Sequence, residues 1–181
     1  MLVRGGQGDM LGVLFDRYQV PLFSLYSKLT GDRAASEDLV QEVFVRILKY
    51  RRSYRPGTAF RPWLYKIARN AHVDQARRRR PELEFQPEMV PPAPHHDQAA
   101  ASEQEALLHR ALLELPEAKR EVLLLSRFQG LPYGEIAELT GCQVAAVKVR
   151  VHRALQELRE IFLRLGGARA NRGVAGVNHG L

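Results

Sequence analysis

The stretch YGEIAELTGCQVAAVKVRVHRALQELR, residues 133–159, predicts two helices joined by a tight turn. In the first helix, Ile136, Ala137 and Leu139 share one apolar face. Gly141 follows, and only glycine adopts the positive φ angle of such a turn at little cost. The helix predicted after the turn is rich in Lys and Arg. This pattern is typical of a DNA-binding helix-turn-helix, although an ordinary helical hairpin with a charged face has the same pattern.

The residues around this pair extend the helical pattern. Residues 110–129 are amphipathic, Pro116 splits them, and Gly130 is placed to end the helix. The basic helix is expected to begin near Val144 and to end at about Leu165. The apolar set of the upstream stretch is Leu112, Leu113, Leu115, Val122, Leu123, Leu125 and Phe128.

Charge divides the 181 residues, of net charge +7, into three blocks. Residues 1–80 carry 16 basic and 7 acidic side chains, and residues 110–181 carry 11 and 7. Residues 81–109 carry six acidic side chains and no Lys or Arg, with five prolines in 81–94 that oppose a regular helix. The Gly-rich end of the chain is expected to be flexible. The predicted units are a helical module at 9–80, a flexible acidic linker at 81–106, a helix-turn-helix module at 107–165 and a tail at 166–181.

The first module has helical spacing throughout. A helix is predicted from about Met10 to Leu29, with a kink or break at Pro21, and Asp32 is placed to cap the next helix. A third helix is predicted from Arg61 to Arg80. The second helix has a broad apolar stripe of Leu39, Val40, Val43, Phe44, Ile47 and Leu48, while Asp38, Gln41, Glu42 and Val45 lie on its other faces.

The third helix carries the first chemical signal. Trp63 lies near Lys66, Arg69 and the basic run 77–80. An exposed aromatic ring beside cations suits single-stranded nucleic acid, because bases stack on the ring while cations contact phosphates. The alternative is that Trp63 belongs to the core and the arginines are a solvated helix end, where cations favour the helix dipole. The pattern alone leaves both interpretations open.

Several functional classes find no support in the sequence. The single cysteine, Cys142, excludes a disulfide framework and a Cys-rich zinc site, and His95 and His96 have no ligand partners at suitable spacing. There is no P-loop, nucleophile elbow or paired acid site. We therefore expect no enzyme activity, no catalytic residue, no metal and no cofactor. No apolar run is long enough to span a membrane and no signal peptide is evident, so a cytoplasmic protein is expected.

Taken in order, the two modules resemble bacterial sigma factors, specifically the small extracytoplasmic-function (ECF, group IV) sigma factors. The resemblance covers about residues 9–165 and rests on the ordered combination, since no single motif decides it. It implies an all-α protein with a region 2 helical bundle and a region 4 helix-turn-helix. The segments that carry it are GDRAASEDLVQEVFVRIL (31–48), FRPWLYKIARNAHVDQARR (60–78), LLELPEAKREVLLLSRFQGLPYGEIAELTG (112–141) and VKVRVHRALQELR (147–159).

The resemblance implies that core RNA polymerase is a partner, through its β′ clamp and β subunit. Asp38, Gln41 and Glu42 would face the clamp coiled coil. Their spacing is consistent with this role, because residues at i, i+3 and i+4 share a helix face. Without the resemblance, the same three residues would be read as a solvated surface.

The resemblance also implies promoter DNA as a partner and transcription initiation as the function. The −10 element would lie against the third helix and the loop before it, where an unstacked base is captured. Asn70 is favoured for a polar base contact, since amides bond base edges. The residues assigned to the −10 element are Arg61, Trp63, Lys66, Arg69, Asn70, Asp74, Arg77 and Arg78.

The −35 element would be read by the start of the basic helix in the major groove. Arg150 and Arg153 suit guanine edges or phosphates, and Lys148 suits a phosphate. The sequence departs from the family pattern at Gln143 and Val149, where hydroxyl side chains are common, and at Ala145–Ala146, where Gly-Thr is common. These departures affect individual contacts, and the alanines would then contact thymine methyl groups. The residues assigned to the −35 element are Ala145, Ala146, Lys148, Arg150, His152 and Arg153.

Control by an anti-sigma factor, often anchored at the inner membrane, is a further implication of the resemblance. Two alternatives remain at this level. A stand-alone helix-turn-helix regulator would explain residues 110–165 but not the first module. An enzyme acting on nucleic acid would need a catalytic cluster, which the sequence does not show.

Overall fold

The computed structural model describes the backbone of residues 8–84 and 103–175, and the side chains within 11–78 and 103–167. In these ranges the chain is all-α, as the sequence predicts, without a strand. The helices are α1 (Gly8–Thr30), α2 (Arg33–Tyr50), α3 (Phe60–Glu84), α4 (Glu103–Glu114), α5 (Glu117–Leu123), α6 (Tyr133–Thr140) and α7 (Val144–Ala175); a 3₁₀ turn (Arg51–Ser53) follows α2 and a π-helical turn (Leu124–Phe128) follows α5.

Helices α1, α2 and α3 form the N-terminal module. Their facing stripes are buried together, because each helix is apolar on one side only. Tyr26 in α1 is fully buried, and its hydroxyl donates to the Ala68 carbonyl of α3 at 2.9 Å. This bond satisfies the one polar atom of a large core side chain. The buried set of the module includes Leu22, Leu25, Leu29, Leu39, Val40, Val43, Phe44, Ile47, Leu64, Ile67 and Ala71.

Asp32 caps α2, as predicted from its position after Gly31. Its carboxylate accepts the backbone N–H of Ala35 at 3.0 Å, which satisfies one of the free donors of the first turn. We expect Asp32→Ala to lower the free energy of unfolding by about 1 kcal/mol. Urea unfolding followed by circular dichroism measures this change. Asp32→Asn, which keeps a capping oxygen, serves as the control and is expected to lose much less stability; equal losses would contradict the capping role.

Helices α4 to α7 form the C-terminal module. The helix-turn-helix prediction is confirmed, with α6 spanning Tyr133–Thr140 and α7 beginning at Val144. Gly141 ends α6 at φ +66°, the left-handed conformation that the turn requires. Ile136 and Ala137 of α6 pack on the buried side of α7, which consists of Val147, Val151 and Ala154.

The two modules are in direct contact. Helices α4 and α5 and the π-helical turn pack on α1, and α6 packs on α3. At one point Leu113 of α4 lies so close to Gly31 that a Cβ atom on Gly31 would be 2.8 Å from Leu113 Cδ1. Gly31 also has φ +71°, so the turn between α1 and α2 requires glycine for two reasons. The described parts of both modules therefore form a closed arrangement.

Four details of the expected fold were wrong. Helix α1 is not broken at Pro21, since the residues beyond it are held in the core. Leu48 is 43% exposed, because it lies on the solvent side of α2. The linker predicted at 81–106 is shorter than expected, because helix α3 extends into its start and helix α4 begins before its end. Helix α3 continues past Pro81 to Glu84, and the acidic first turn of α4 begins at Glu103, where acids favour the helix dipole.

The expected flexible tail is also helical at its start, since α7 continues through residues 166–175. Helix α7 packs along α4 here, and a Cβ atom added to Gly166 would lie 3.5 Å from Leu107 Cδ2. Residues 85–102 and 176–181, with His95 and His96, lie outside the described residues. Within the described part, no helix has the length and apolar character needed to cross a bilayer.

Candidate nucleic-acid interface and partner-binding surface

An exposed stripe runs along α2. Asp38, Gln41, Val45 and Leu48 all face solvent, and we call these four residues the α2 stripe. Their spacing alternates between three and four residues, which is the repeat with which one helix packs along another. The two apolar members are 59% and 43% exposed, and such residues side by side on a helix mark an interaction surface more than a solvated one.

Glu42 differs from the other two predicted polymerase contacts. Its Oε1 lies 2.6 Å from Arg46 Nε, and the same guanidinium reaches Asp74 Oδ2 of α3 at 2.7 Å. Burial alone would lower the pKa of Arg46, but its hydrogen bonds to Glu42 and Asp74 raise it, so this arginine is always charged. Glu42 and Asp74 are therefore paired in this arrangement, and Arg46 links α2 to α3.

Helix α3 presents two different faces. Trp63, Lys66, Asn70 and Arg77 follow one another at spacings of three, four and seven residues and form what we call the open face. Lys66, Asn70 and Arg77 are exposed, and Trp63 is half-buried. Arg78 is exposed beside them and donates to the Asp74 carbonyl at 3.3 Å. This face combines positive charge, an amide and an aromatic ring.

Trp63 belongs to an aromatic cluster at the start of α3. Its ring centroid lies 5.3 Å from that of Tyr54 and 5.6 Å from that of Phe60, and its Nε1 donates to Ser53 Oγ at 3.4 Å. Phe60 in turn lies 5.4 Å from Tyr18 of α1. The ring is therefore half-buried against the loop before α3. Sequence reasoning missed Tyr54 and Phe60, although their aromatic character next to Trp63 was a signal.

The other face of α3 is covered by the C-terminal module. We call Tyr65, Arg69 and His72 the covered face, and Arg61 lies exposed at its edge. Arg61 donates to the Gln129 backbone carbonyl, and the Tyr65 hydroxyl donates to Gln129 Oε1. Burial raises the pKa of Tyr65, which keeps this hydroxyl protonated as a donor. Of the predicted −10 residues, Arg69 lies half-buried on this face, while Arg61 donates to Gln129 but stays exposed at its edge.

Two carboxylates of α5 complete this contact. Arg69 Nε lies 2.9 Å from Glu121 Oε1, and His72 Nε2 lies 3.1 Å from Glu117 Oε1. The side chains of Arg69 and Glu121 are 28% and 16% exposed, so their ion pair is less screened by water than a surface pair. The covered face therefore binds acidic groups from the same chain.

The start of α7 is open on its outer side. Ala145, Ala146, Lys148, His152 and Arg153 are exposed, as expected of residues that enter a DNA groove. Arg150 is half-buried, so its side chain is less available than that of Arg153. The exposed side also includes Val149, which is 49% exposed and suits apolar contact with thymine methyl groups. Among the side chains within 11–78 and 103–167, no cluster of His, Cys, Asp and Glu fits a metal ion.

Comparisons with known proteins show which families the two modules match. The family model described as Sigma-70 region 2 matches residues 14–82, and the model described as Sigma-70, region 4 matches residues 105–158. The RNA polymerase sigma factor CarQ of Myxococcus xanthus is 32% identical over 165 residues, which is 88% of this chain and 92% of that protein. The ECF RNA polymerase sigma factor SigE of Mycolicibacterium smegmatis is 36% identical over 153 residues, 79% of this chain and 58% of that protein.

A solved structure shows the same fold. The sigma factor RpoE of Bartonella quintana, determined in complex with the anti-sigma factor NepR, matches with a TM-score of 0.73 and 26% identity. The match covers 83% of this chain and 94% of that chain, so it includes both modules. The stand-alone regulator leaves the region 2 match unexplained, and the family is one of transcription initiation factors rather than a known enzyme family. The chain belongs to the family of ECF RNA polymerase sigma factors.

Proposed function

We propose that this chain binds core RNA polymerase through the α2 stripe and directs it to promoters with α3 and α7. The observation that carries the proposal is the order of exposed surfaces on one chain: the α2 stripe, the open face of α3 and the outer side of α7. Its place of action would be the cytoplasm, where polymerase and chromosome meet. It would act by binding and carry no catalytic group of its own.

The α2 stripe suits a helical partner surface. Val45 and Leu48, its C-terminal half, offer apolar contact, and Asp38 and Gln41, its N-terminal half, offer polar specificity. Protein–protein interfaces combine apolar and polar contacts. The same spacing fits the coiled coil of the β′ clamp, which the family resemblance implies as the partner. Glu42 would join this contact through the edge of the stripe.

The open face of α3 suits melted −10 DNA. Lys66 and Arg77 would contact phosphates, while the Asn70 amide bonds a base edge. The aromatic cluster around Trp63 borders the same face and offers a ring edge for an extruded base. Stacking and edge hydrogen bonds would offset the few kcal/mol that extrusion costs.

The outer side of α7 suits the −35 element, and Arg153 is its most accessible arginine. We expect Arg153→Ala to weaken binding to −35-containing duplex DNA by about tenfold, the loss of one good base or phosphate contact. Fluorescence anisotropy at several salt concentrations measures this and the salt dependence together. Arg159→Ala, an exposed arginine two turns further along α7, is the matched control. Equal losses for both variants would contradict the assigned part of the helix.

An anti-sigma factor is the proposed regulatory partner. RpoE of Bartonella quintana has a related fold in its complex with an anti-sigma factor, which supports such a partner here. A groove across the junction of the modules offers a docking place. Its walls contain Arg17, Tyr18 and Arg61 together with the exposed Val20 and Phe128. This combination of cations and apolar groups fits an amphipathic, acidic segment of a partner.

Promoter melting is the direct test of the proposed function. With genomic promoter fragments, core polymerase and this chain together are expected to make thymines near −10 reactive to permanganate. Neither component alone is expected to do so. Equal reactivity with core polymerase alone, or none on any fragment although the chain binds polymerase, would overturn the proposal.

A further inference from the structure

Gln129 is the centre of the contact between the modules. It is only 7% exposed and follows the π-helical turn of the C-terminal module. Its Oε1 accepts from Tyr65 and its backbone carbonyl accepts from Arg61, while its Nε2 lies 3.4 Å from the Pro21 carbonyl of α1. One side chain thus satisfies buried polar groups on two helices of the other module. Removing it would leave the Tyr65 hydroxyl without this partner inside the contact.

Glu117 and Glu121 extend the contact along α3. The Glu117 carboxylate lies beside His72 and the Glu121 carboxylate lies beside Arg69. An anionic ligand of the covered face would occupy the same places. A guanidinium whose charge is paired with a nearby carboxylate attracts a phosphate less strongly. The acidic side of α5 therefore competes with DNA for Arg69.

In the closed arrangement, the two modules lie too close together to contact both promoter elements at once. The −10 and −35 elements lie about 25 base pairs apart, or about 85 Å along B-form DNA. Here α6 packs directly on α3, and only three residues separate the end of α6 from the start of α7. The modules must therefore separate before both elements are read. The 18 residues between α3 and α4 could span up to about 60 Å if extended, and the lengths of the helices on either side add to this reach, so the connection permits the separation.

We propose that the free chain holds itself closed through an internal latch formed by Gln129, Glu117 and Glu121, which competes with DNA for the covered face of α3. The latch keeps Arg69 paired with Glu121 until the modules separate. It rests on the proposed function for its biological meaning. Its first test, however, needs neither polymerase nor promoter, so failure of the latch and failure of the proposed function are distinguishable.

Single-molecule energy transfer between the modules tests the latch. Dyes are placed on Ala34→Cys and Gln156→Cys, two exposed positions, in a Cys142→Ser background. The parent chain is expected to be mostly in a high-transfer state. Glu117→Gln/Glu121→Gln is expected to lower the closed-to-open ratio about fivefold, and Gln129→Ala about tenfold. The glutamines keep the shape of α5, and circular dichroism checks that each variant is folded.

A second measurement tests the competition with DNA. The probe is a fluorescent single-stranded 30-mer of mixed sequence. The double variant of α5 is expected to bind it about fivefold more tightly than Glu138→Gln/Glu160→Gln, which removes two charges from exposed positions of the same module. This control separates loss of the latch from the general effect of added positive charge.

Three results would overturn the latch. The parent chain could show low energy transfer in the absence of any partner. The folded α5 variants and Gln129→Ala could both keep the parent's closed-to-open ratio. The two double variants could bind the single-stranded probe with equal affinity. High energy transfer that appears only after a partner protein is added would count as the first of these results.

Discussion

Gln41→Lys is expected to weaken the binding of this chain to core RNA polymerase by about a hundredfold. Gln41 is exposed within the α2 stripe, next to Asp38 and one turn before Val45. A lysine there would bring an unpaired charge into the proposed contact, where it would have to lose its water. The fold should be unaffected, because the position faces solvent and lysine is a good helix former. A titration of labelled chain with core polymerase measures the change.

Gln104→Lys is the matched control for this prediction. It makes the same substitution at an exposed position of α4, in the other module. We expect it to bind core polymerase like the parent chain. The melting temperature should be unchanged for Gln41→Lys and slightly lower for Gln104→Lys, because a cation in the first turn of α4 opposes the helix dipole. Equal affinity of Gln41→Lys and Gln104→Lys would show that the α2 stripe is not the polymerase-binding surface.

Leu64→Ala is expected to have the largest effect on stability. Leu64 of α3 is fully buried in the core of the N-terminal module, so alanine would leave a cavity there. The expected loss is about 3 kcal/mol in the free energy of unfolding. For a module of this size the melting temperature would fall by roughly 15 °C.

Thermal unfolding followed by circular dichroism measures the effect of Leu64→Ala. Leu163→Ala serves as the control, because this leucine of α7 is 62% exposed. The control should lie within about 0.5 kcal/mol of the parent chain. Losses of similar size for both variants would contradict the core position of α3.

Local chemistry explains which parts of the fold were predictable. The bounds of α6, the left-handed Gly141 and the cap at Asp32 follow from residues within one or two turns. The prediction that Leu48 shares the apolar stripe of α2 was wrong, because Leu48 lies at the margin of that stripe. At a margin, the hydrophobic pattern does not show on which side a neighbouring helix packs. The prediction of a flexible tail was wrong for residues 166–175, because the packing of α7 on α4 near Gly166 and Leu107 is a tertiary contact.

In the candidate site, too, some features were predictable from the sequence and others depend on tertiary contacts. The polar residues on α2 and the cations on α3 were found from their spacing and from the family resemblance, and their roles remain predictions. The split of α3 into an open and a covered face was not predictable, since it depends on where the other module packs. Gln129 gave no signal in the sequence, because a polar residue after an amphipathic stretch is ordinary. Its contacts with Tyr65 and Arg61 join positions more than 60 residues apart.

Run-off transcription tests the central claim most directly. Core polymerase is supplied with genomic fragments, with and without this chain, and the transcripts are sized and sequenced at their 5′ ends. We predict transcripts of defined start site only when the chain is present, lost with Gln41→Lys and kept with Gln104→Lys. The account would be contradicted if the folded chain produced no promoter-dependent transcript from any genomic fragment.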